Sequence, residues 1–141
     1  MTFKKILEEK YKLVQEATFK WPKKIFDGYK FTGKVTPDGE SAEYIDRHKN
    51  VNWFNKKFKH HNNFGPALIL PNPYNNRESR MWFIDGMKHR LDGPAIVWQS
   101  GEREYWINNQ QFSKEDFDEK VKEINALKQA GEPYGVDLND L

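Results

Sequence analysis

The sequence predicts an α+β domain: a central antiparallel sheet of repeated short β-hairpins, with an amphipathic helix at each end. Three observations carry this expectation. Turn dipeptides punctuate short aromatic and branched runs through the middle of the chain. The string H-x-x-x-G-P-A occurs twice, at 61–67 and 89–95. Apolar residues at both ends recur at helical spacing. The 141 residues suit a single domain, and an aromatic share of 15% argues against disorder despite 31% charged residues.

Residues 2–17 read as the first helix. Phe3, Ile6, Leu7, Tyr11, Val14 and Ala17 make its stripe, Thr2 is the candidate N-cap, and Lys4–Glu8 and Lys5–Glu9 are i,i+4 pairs. Pro22 ends helical structure. Asp27-Gly28 and Pro37-Asp38-Gly39 are turn signals around the β-like run 29–35, opening a repeat region at about 25–112. Asp85-Gly86, Asp92-Gly93-Pro94, Ser100-Gly101 and Asn108-Asn109 space strands of about 4–6 residues. A second helix is expected over 113–130, with Ser113 as N-cap, Asp116 at N3, and the stripe Phe117, Val121, Ile124, Leu127. Gly131 and Pro133 end it. The domain thus covers 1–131, leaving an acidic tail at 132–141. One sheet face should pack on the two helix stripes. The other is either strapped by Tyr134, Val136 and Leu138 or open to a partner.

The repeat aligns His61–Ile69 on His89–Val97 without gaps, a period of 28 residues. Phe83–His89 then aligns on Trp106–Phe112, a period of 23 that leaves a third, truncated unit. Each landmark has a physical job. Gly65 and Gly93 permit backbone conformations that a Cβ forbids. Pro66 and Pro94 suit the start of a strand. Ala67 and Ala95 are small where layers approach. His61 and His89 can join two backbone groups through their ring nitrogens. Arg90 can pair with Asp92 or stack on a tryptophan.

The string WFIDGMKHRLDGPAIVWQSGEREYWINNQQFSKEDF resembles a MORN-like repeat family of tailed phages and giant viruses, whose hallmark is aromatic-x-[ND]-G-x-x-H-R-x-D-G-P-A. The second unit matches at His89, Arg90, Asp92, Gly93, Pro94 and Ala95. In the first, Asn62 replaces the arginine and Phe64 the aspartate. The resemblance spans roughly 51–118. It implies a twisted sheet of hairpins and a viral source, and no single activity.

Reactive chemistry is sparse. Without cysteine there are no disulfides, thiolate zinc sites or thiol nucleophiles. The four histidines have no metal-binding spacing, and nucleotide-loop and hydrolase motifs are absent. His89 with Asp92 is the one base-and-orienter candidate, and repeat landmarks are more readily structural than catalytic. No catalytic residue, metal or cofactor is therefore expected.

Residues 1–90 carry a net +8 and residues 91–141 a net −6. The basic, aromatic segment holding Arg47, Lys49, Lys56, Lys57, Lys59 and His60 is a candidate surface for nucleic acid or a nucleotide signal. Trp98, Arg103 and Tyr105 are the candidate protein-binding residues. No apolar run approaches the ~20 residues needed to cross a bilayer, and the first 17 residues lack a signal-peptide core, so a cytoplasmic protein without membrane contact is expected. The functional expectation is a non-enzymatic phage accessory protein that binds and modulates or inhibits a bacterial host protein, such as a defence factor. Nucleic-acid or nucleotide binding is the alternative, and self-association is compatible with either.

Overall fold

The computed structural model describes residues 2–17 and 19–131, with the side chains of 11–17 left out. Helix α1 (Phe3–Ala17) comes first, then β1 (Lys24–Ile25), β2 (Tyr29–Val35), β3 (Ser41–Ile45), β4 (Val51–Asn55), β5 (Leu68–Pro71) and β6 (Glu78–Met81). They are followed by β7 (Phe83–Ile84), β8 (Met87–Lys88), β9 (Ile96–Val97), β10 (Arg103–Ile107), β11 (Gln110–Phe112) and helix α2 (Lys114–Ala130). The chain is α+β. Nine strands form one antiparallel meander in the order β1-β2-β3-β4-β5-β6-β9-β10-β11, and β7–β8 pair separately.

The register aligns two continuous rows of side chains across the sheet. Tyr44, Asn52, Leu68, Met81, Ile96 and Glu104 are cross-strand partners on one face; Ile45, Val51, Ile69, Arg80, Val97 and Arg103 are partners on the other. The pleat sends neighbours in sequence to opposite faces. Tyr44, Asn52 and Ile96 are buried, whereas Ile45, Arg80 and Arg103 are exposed.

Apolar packing forms two clusters. In the first half, Ile25, Ala42, Tyr44 and Phe54 are closed over by Trp21, Tyr29, Phe31 and Phe58, and the Tyr44 hydroxyl donates to the Pro22 carbonyl at 2.7 Å. In the second half, Phe117 and Ile124 of α2 pack on Ile107, with Leu91, Tyr105, Phe112 and Val121 around them. Fully burying a side chain such as Phe117 stabilises by roughly 1.5–3 kcal/mol. Ala67 and Ala95 are fully buried, as expected of small residues at a close approach.

Both helix caps form. Ser113 Oγ accepts the Asp116 N–H at 3.1 Å, Thr2 Oγ1 accepts that of Lys5 at 3.2 Å, and Gly131 closes α2 with a φ of +79°. The α1 stripe does not pack as expected. Phe3, Ile6 and Leu7 are 76%, 37% and 51% exposed, and Trp21, Tyr29, Phe31 and Phe58 are what pack on the first cluster. Tyr11, Val14 and Ala17, and the tail residues Tyr134, Val136 and Leu138, lie outside the described side chains.

Candidate functional site

The repeat landmarks are held by matching hydrogen bonds. The His61 N–H donates to the Trp53 carbonyl at 2.9 Å, and that of His89 to Trp82 at 3.1 Å. Trp53 and Trp82 in turn donate to the carbonyls of Ala67 and Ala95, both at 2.7 Å. Asn62 donates to Phe83 at 3.2 Å, and Arg90 to Trp106 at 3.1 Å. Each unit is thereby joined to the hairpin tip of the next. The imidazoles repeat the pattern: His61 Nδ1 accepts the Asp85 N–H, and His89 Nδ1 that of Asn108, both at 3.0 Å.

An earlier member of the series was not legible as a repeat. The Phe31 N–H donates to the Lys23 carbonyl at 2.9 Å, as His61 does to Trp53. The signal was Asp27-Gly28-Tyr29-Lys30-Phe31 against Asp85-Gly86-Met87-Lys88-His89, with phenylalanine in place of histidine. The early tips have three-residue loops, 26–28 and 56–58, closed by Gly28 and Phe58 at φ +92° and +59°. The later tips have two-residue loops. Asp85-Gly86 lies at +48° and +80°, and Asn108-Asn109 at +46° and +68°, the left-handed pair that matches strand twist.

Within each repeat unit the tip, and not the motif glycine, has left-handed backbone. Gly65 and Gly93 are absent from the positive-φ set, so the expected conformational reason for them is overturned. Gly93 has a different role: a Cβ there would stand 2.9 Å from the Arg90 guanidinium carbon and would displace it. Nothing in the structure explains Gly65.

Arg90 makes both anticipated contacts at once. Its Nε donates to Asp92 at 2.8 Å, and its guanidinium lies 4.0 Å from the Trp82 ring centroid. A third bond runs to the Pro94 carbonyl at 3.2 Å. In the first unit Asn62 takes over that task, donating to Pro66 at 3.2 Å while accepting the Phe64 N–H at 2.8 Å. The hydrogen bond from Arg90 holds the Asp92 carboxyl below its ordinary range. The His89–Asp92 pair therefore does not form: Asp92 is held by Arg90, and His89 Nδ1 by the Asn108 backbone. Burial, with Lys128 adding to it, pushes the His89 pKa down.

His61 differs from expectation in its second partner, which is not backbone. Its Nε2 faces the Glu40 carboxylate at 3.2 Å. Because Nδ1 accepts a backbone N–H, the proton is assigned to Nε2, which donates to Glu40. Both nitrogens are occupied and the residue is buried, which leaves no lone pair for a substrate. Around it opens a cleft of about 550 Å³ where Asp38, Glu40 and Asp85 meet Lys56, Lys57 and Lys59. Asn63 donates to both Asp38 and Glu40 at 3.0 Å. Burial raises the Asp38 pKa, but the bonds from Thr36, the Glu40 backbone and Asn63 outweigh it and leave the carboxyl low.

The basic segment is not one surface. Arg47 and Lys49 lie in the turn before β4, with Arg47 paired to Asp27 at 3.2 Å. Lys56, Lys57 and Lys59 lie at or beside the tip after β4, and Lys56 sits 4.9 Å over Phe19. Five strand residues at ~3.3 Å each separate the two groups. His60 leaves the candidate surface altogether: its ring lies between Phe54 and Phe83, at 4.6 and 5.3 Å. Its Nε2 meets Asn52 Oδ1 at 2.9 Å, and burial lowers its pKa.

Trp98, Arg103 and Tyr105 do not share a patch. Strand pleating places Trp98 on the Glu104 face, where Glu104 accepts the indole N–H groups of both Trp98 and Trp106. Tyr105 packs under α2 with its ring 4.9 Å from Phe117. Arg103 alone is exposed.

A second groove of about 740 Å³ lies at His89, Arg90 and Lys128. No group of three or more metal-ligating His, Asp or Glu side chains occurs among the described residues. None of their helices is long and apolar enough to cross a membrane. Comparison with protein-family models, curated proteins and solved structures finds no match.

Proposed function

We propose that the chain is a non-enzymatic binding module that recognises a protein through the part of the Arg103 sheet face that lies beyond the cover of α2. The observation that carries this reading is the row Ile45, Val51, Ile69, Arg80, Val97 and Arg103. It crosses six strands, with the half-buried Val51, Ile69 and Val97 beside the exposed Ile45, Arg80 and Arg103. Apolar side chains with arginine are the usual composition of an interface centre. His60 and His61 support the reading, because their ring nitrogens are taken up by bonds within the protein. The resemblance to phage repeats suggests a bacterial host protein as partner, with a defence factor as one class, and the host cytoplasm as the place of action.

The test is quantitative pull-down from bacterial lysate, comparing wild type with folded Ile69→Glu and Arg103→Glu variants. A protein retained by wild type, lost with both variants and bound again in purified form supports the reading. Equal retention by all three overturns it. A nucleic-acid reading of the segment 47–61 has less support, because phosphates entering the first cleft would meet three carboxylates as well as three lysines. Oligonucleotide binding at low salt, steeply lost as salt rises and abolished by Lys56→Glu with Lys57→Glu, would restore it.

A further inference from the structure

We propose that the groove at His89 is a binding site for a small organic carboxylate carried on a flat apolar body. The two repeat units differ in what completes the imidazole. In the first, Nε2–H of His61 donates to the Glu40 carboxylate at 3.2 Å, so the protein supplies its own anion. In the second, the same backbone bond to Nδ1 fixes the same tautomer, and Nε2 again carries the proton. Among the described residues no carboxylate takes that proton. His89 instead lines the 740 Å³ groove, a volume within the range of small-molecule sites.

The charges around the groove select the ligand. Asp92 is neutralised by Arg90 at 2.8 Å, which leaves Lys128 as the lining charge without an ion pair to another described residue. One cation and one imidazole N–H suit a single carboxylate. A polyphosphate would bring several charges to a site that offers one. Arg90 adds a further donor edge, since Asp92 and Pro94 occupy only its Nε and one terminal nitrogen. Phe64, Ile84 and Leu91 supply the apolar wall, with Phe64 largely exposed. The groove shares no lining residue with the row from Ile45 to Arg103, so its test does not bear on the protein-binding reading.

The experiment is nuclear magnetic resonance titration of the full chain with indole-3-acetate, following the ring resonances of His89 and His61 and the indole N–H of Trp82. Acetate tests the need for the body, and indole-3-ethanol the need for the charge. Saturable shifts at His89 and Trp82, with His61 unmoved, are expected. Binding should weaken by about tenfold or more with indole-3-ethanol and in Lys128→Gln, an exposed substitution, on the scale of one lost charge-assisted bond. The peptide Ac-Trp-Asp-NH2 carries the same ring and charge on a backbone. Tighter binding of the peptide than of indole-3-acetate would overturn the small-molecule assignment. So would equal binding of the alcohol, an undiminished response in Lys128→Gln, or no saturation on the order of 10 mM.

Discussion

Around His61 and around His89 the backbone makes the same bonds, while the side chains that complete them differ. In the first unit Asn62 replaces the arginine, Glu40 occupies the imidazole, and Phe64 stands where an aspartate pairs in the second. In the second unit an arginine bound at three points braces the corner, and the imidazole lines a groove. The lesson is that the repeat is conserved within this chain as a pattern of main-chain bonds. Side chains are then free to close one corner and leave the other open.

The largest expected effect contrasts the two imidazoles. His61→Ala removes a buried ring, frees the Asp85 N–H and strips Glu40 of a donor. It should cost about 2–3 kcal/mol in urea unfolding, by the penalty for unsatisfied buried groups together with lost packing. His89→Ala, half-exposed at its groove where water can replace the ring, should cost about 1 kcal/mol. Equal costs would erase the difference between a closed and an open corner.

Smaller effects should separate the two glycines. Gly93→Ala should cost about 1–2 kcal/mol by displacing the Arg90 guanidinium from Asp92 and Pro94. The penalty should largely vanish in an Arg90→Ala background, which a double-mutant cycle measures. Gly65→Ala, with open space at its Cβ position, should stay within about 0.5 kcal/mol. A cost at Gly93 that persists without Arg90 would assign the motif glycine to the backbone after all.

The smallest effect is a pH dependence. Burial depresses the pKa values of His60 and His89 in the folded state. Below the ordinary histidine pKa of about 6.5 the unfolded chain therefore binds protons that the folded chain refuses, and stability falls with falling pH. Above that value these histidines contribute no slope. Asp92 and Asp38, held low in the folded state, extend the loss further into acid. Thermal unfolding from pH 8 to pH 5 should show the decline, reduced in His89→Gln. A melting temperature that rises toward pH 5 would contradict the buried placement of both rings.

Much of the fold was legible in the sequence, because turns and caps are local chemistry. Asp85-Gly86 and Asn108-Asn109 supply the left-handed pairs, and Ser113 and Gly131 bound α2 within a residue of expectation. The repeated H-x-x-x-G-P-A string placed Ala67 and Ala95 at close approaches. The site residues were less legible. Whether a lysine, tryptophan or histidine faces water depends on strands distant in sequence, and no local period reports that. His60 and Lys59 are neighbours, yet one is held between Phe54 and Phe83 and the other is exposed.

By itself, then, the sequence determined the sheet of short strands, the helix boundaries and the equivalence of the two histidines. Those follow from dihedral preference, capping and periodicity within a few residues. Only the tertiary structure decided that Glu40 answers His61 across 21 positions, that the Arg90 guanidinium lies against Gly93, and that Phe3, Ile6 and Leu7 of α1 stay exposed. Each depends on contacts between segments distant in sequence, as where Trp21 and the first hairpin pack on the cluster around Tyr44 and Phe54.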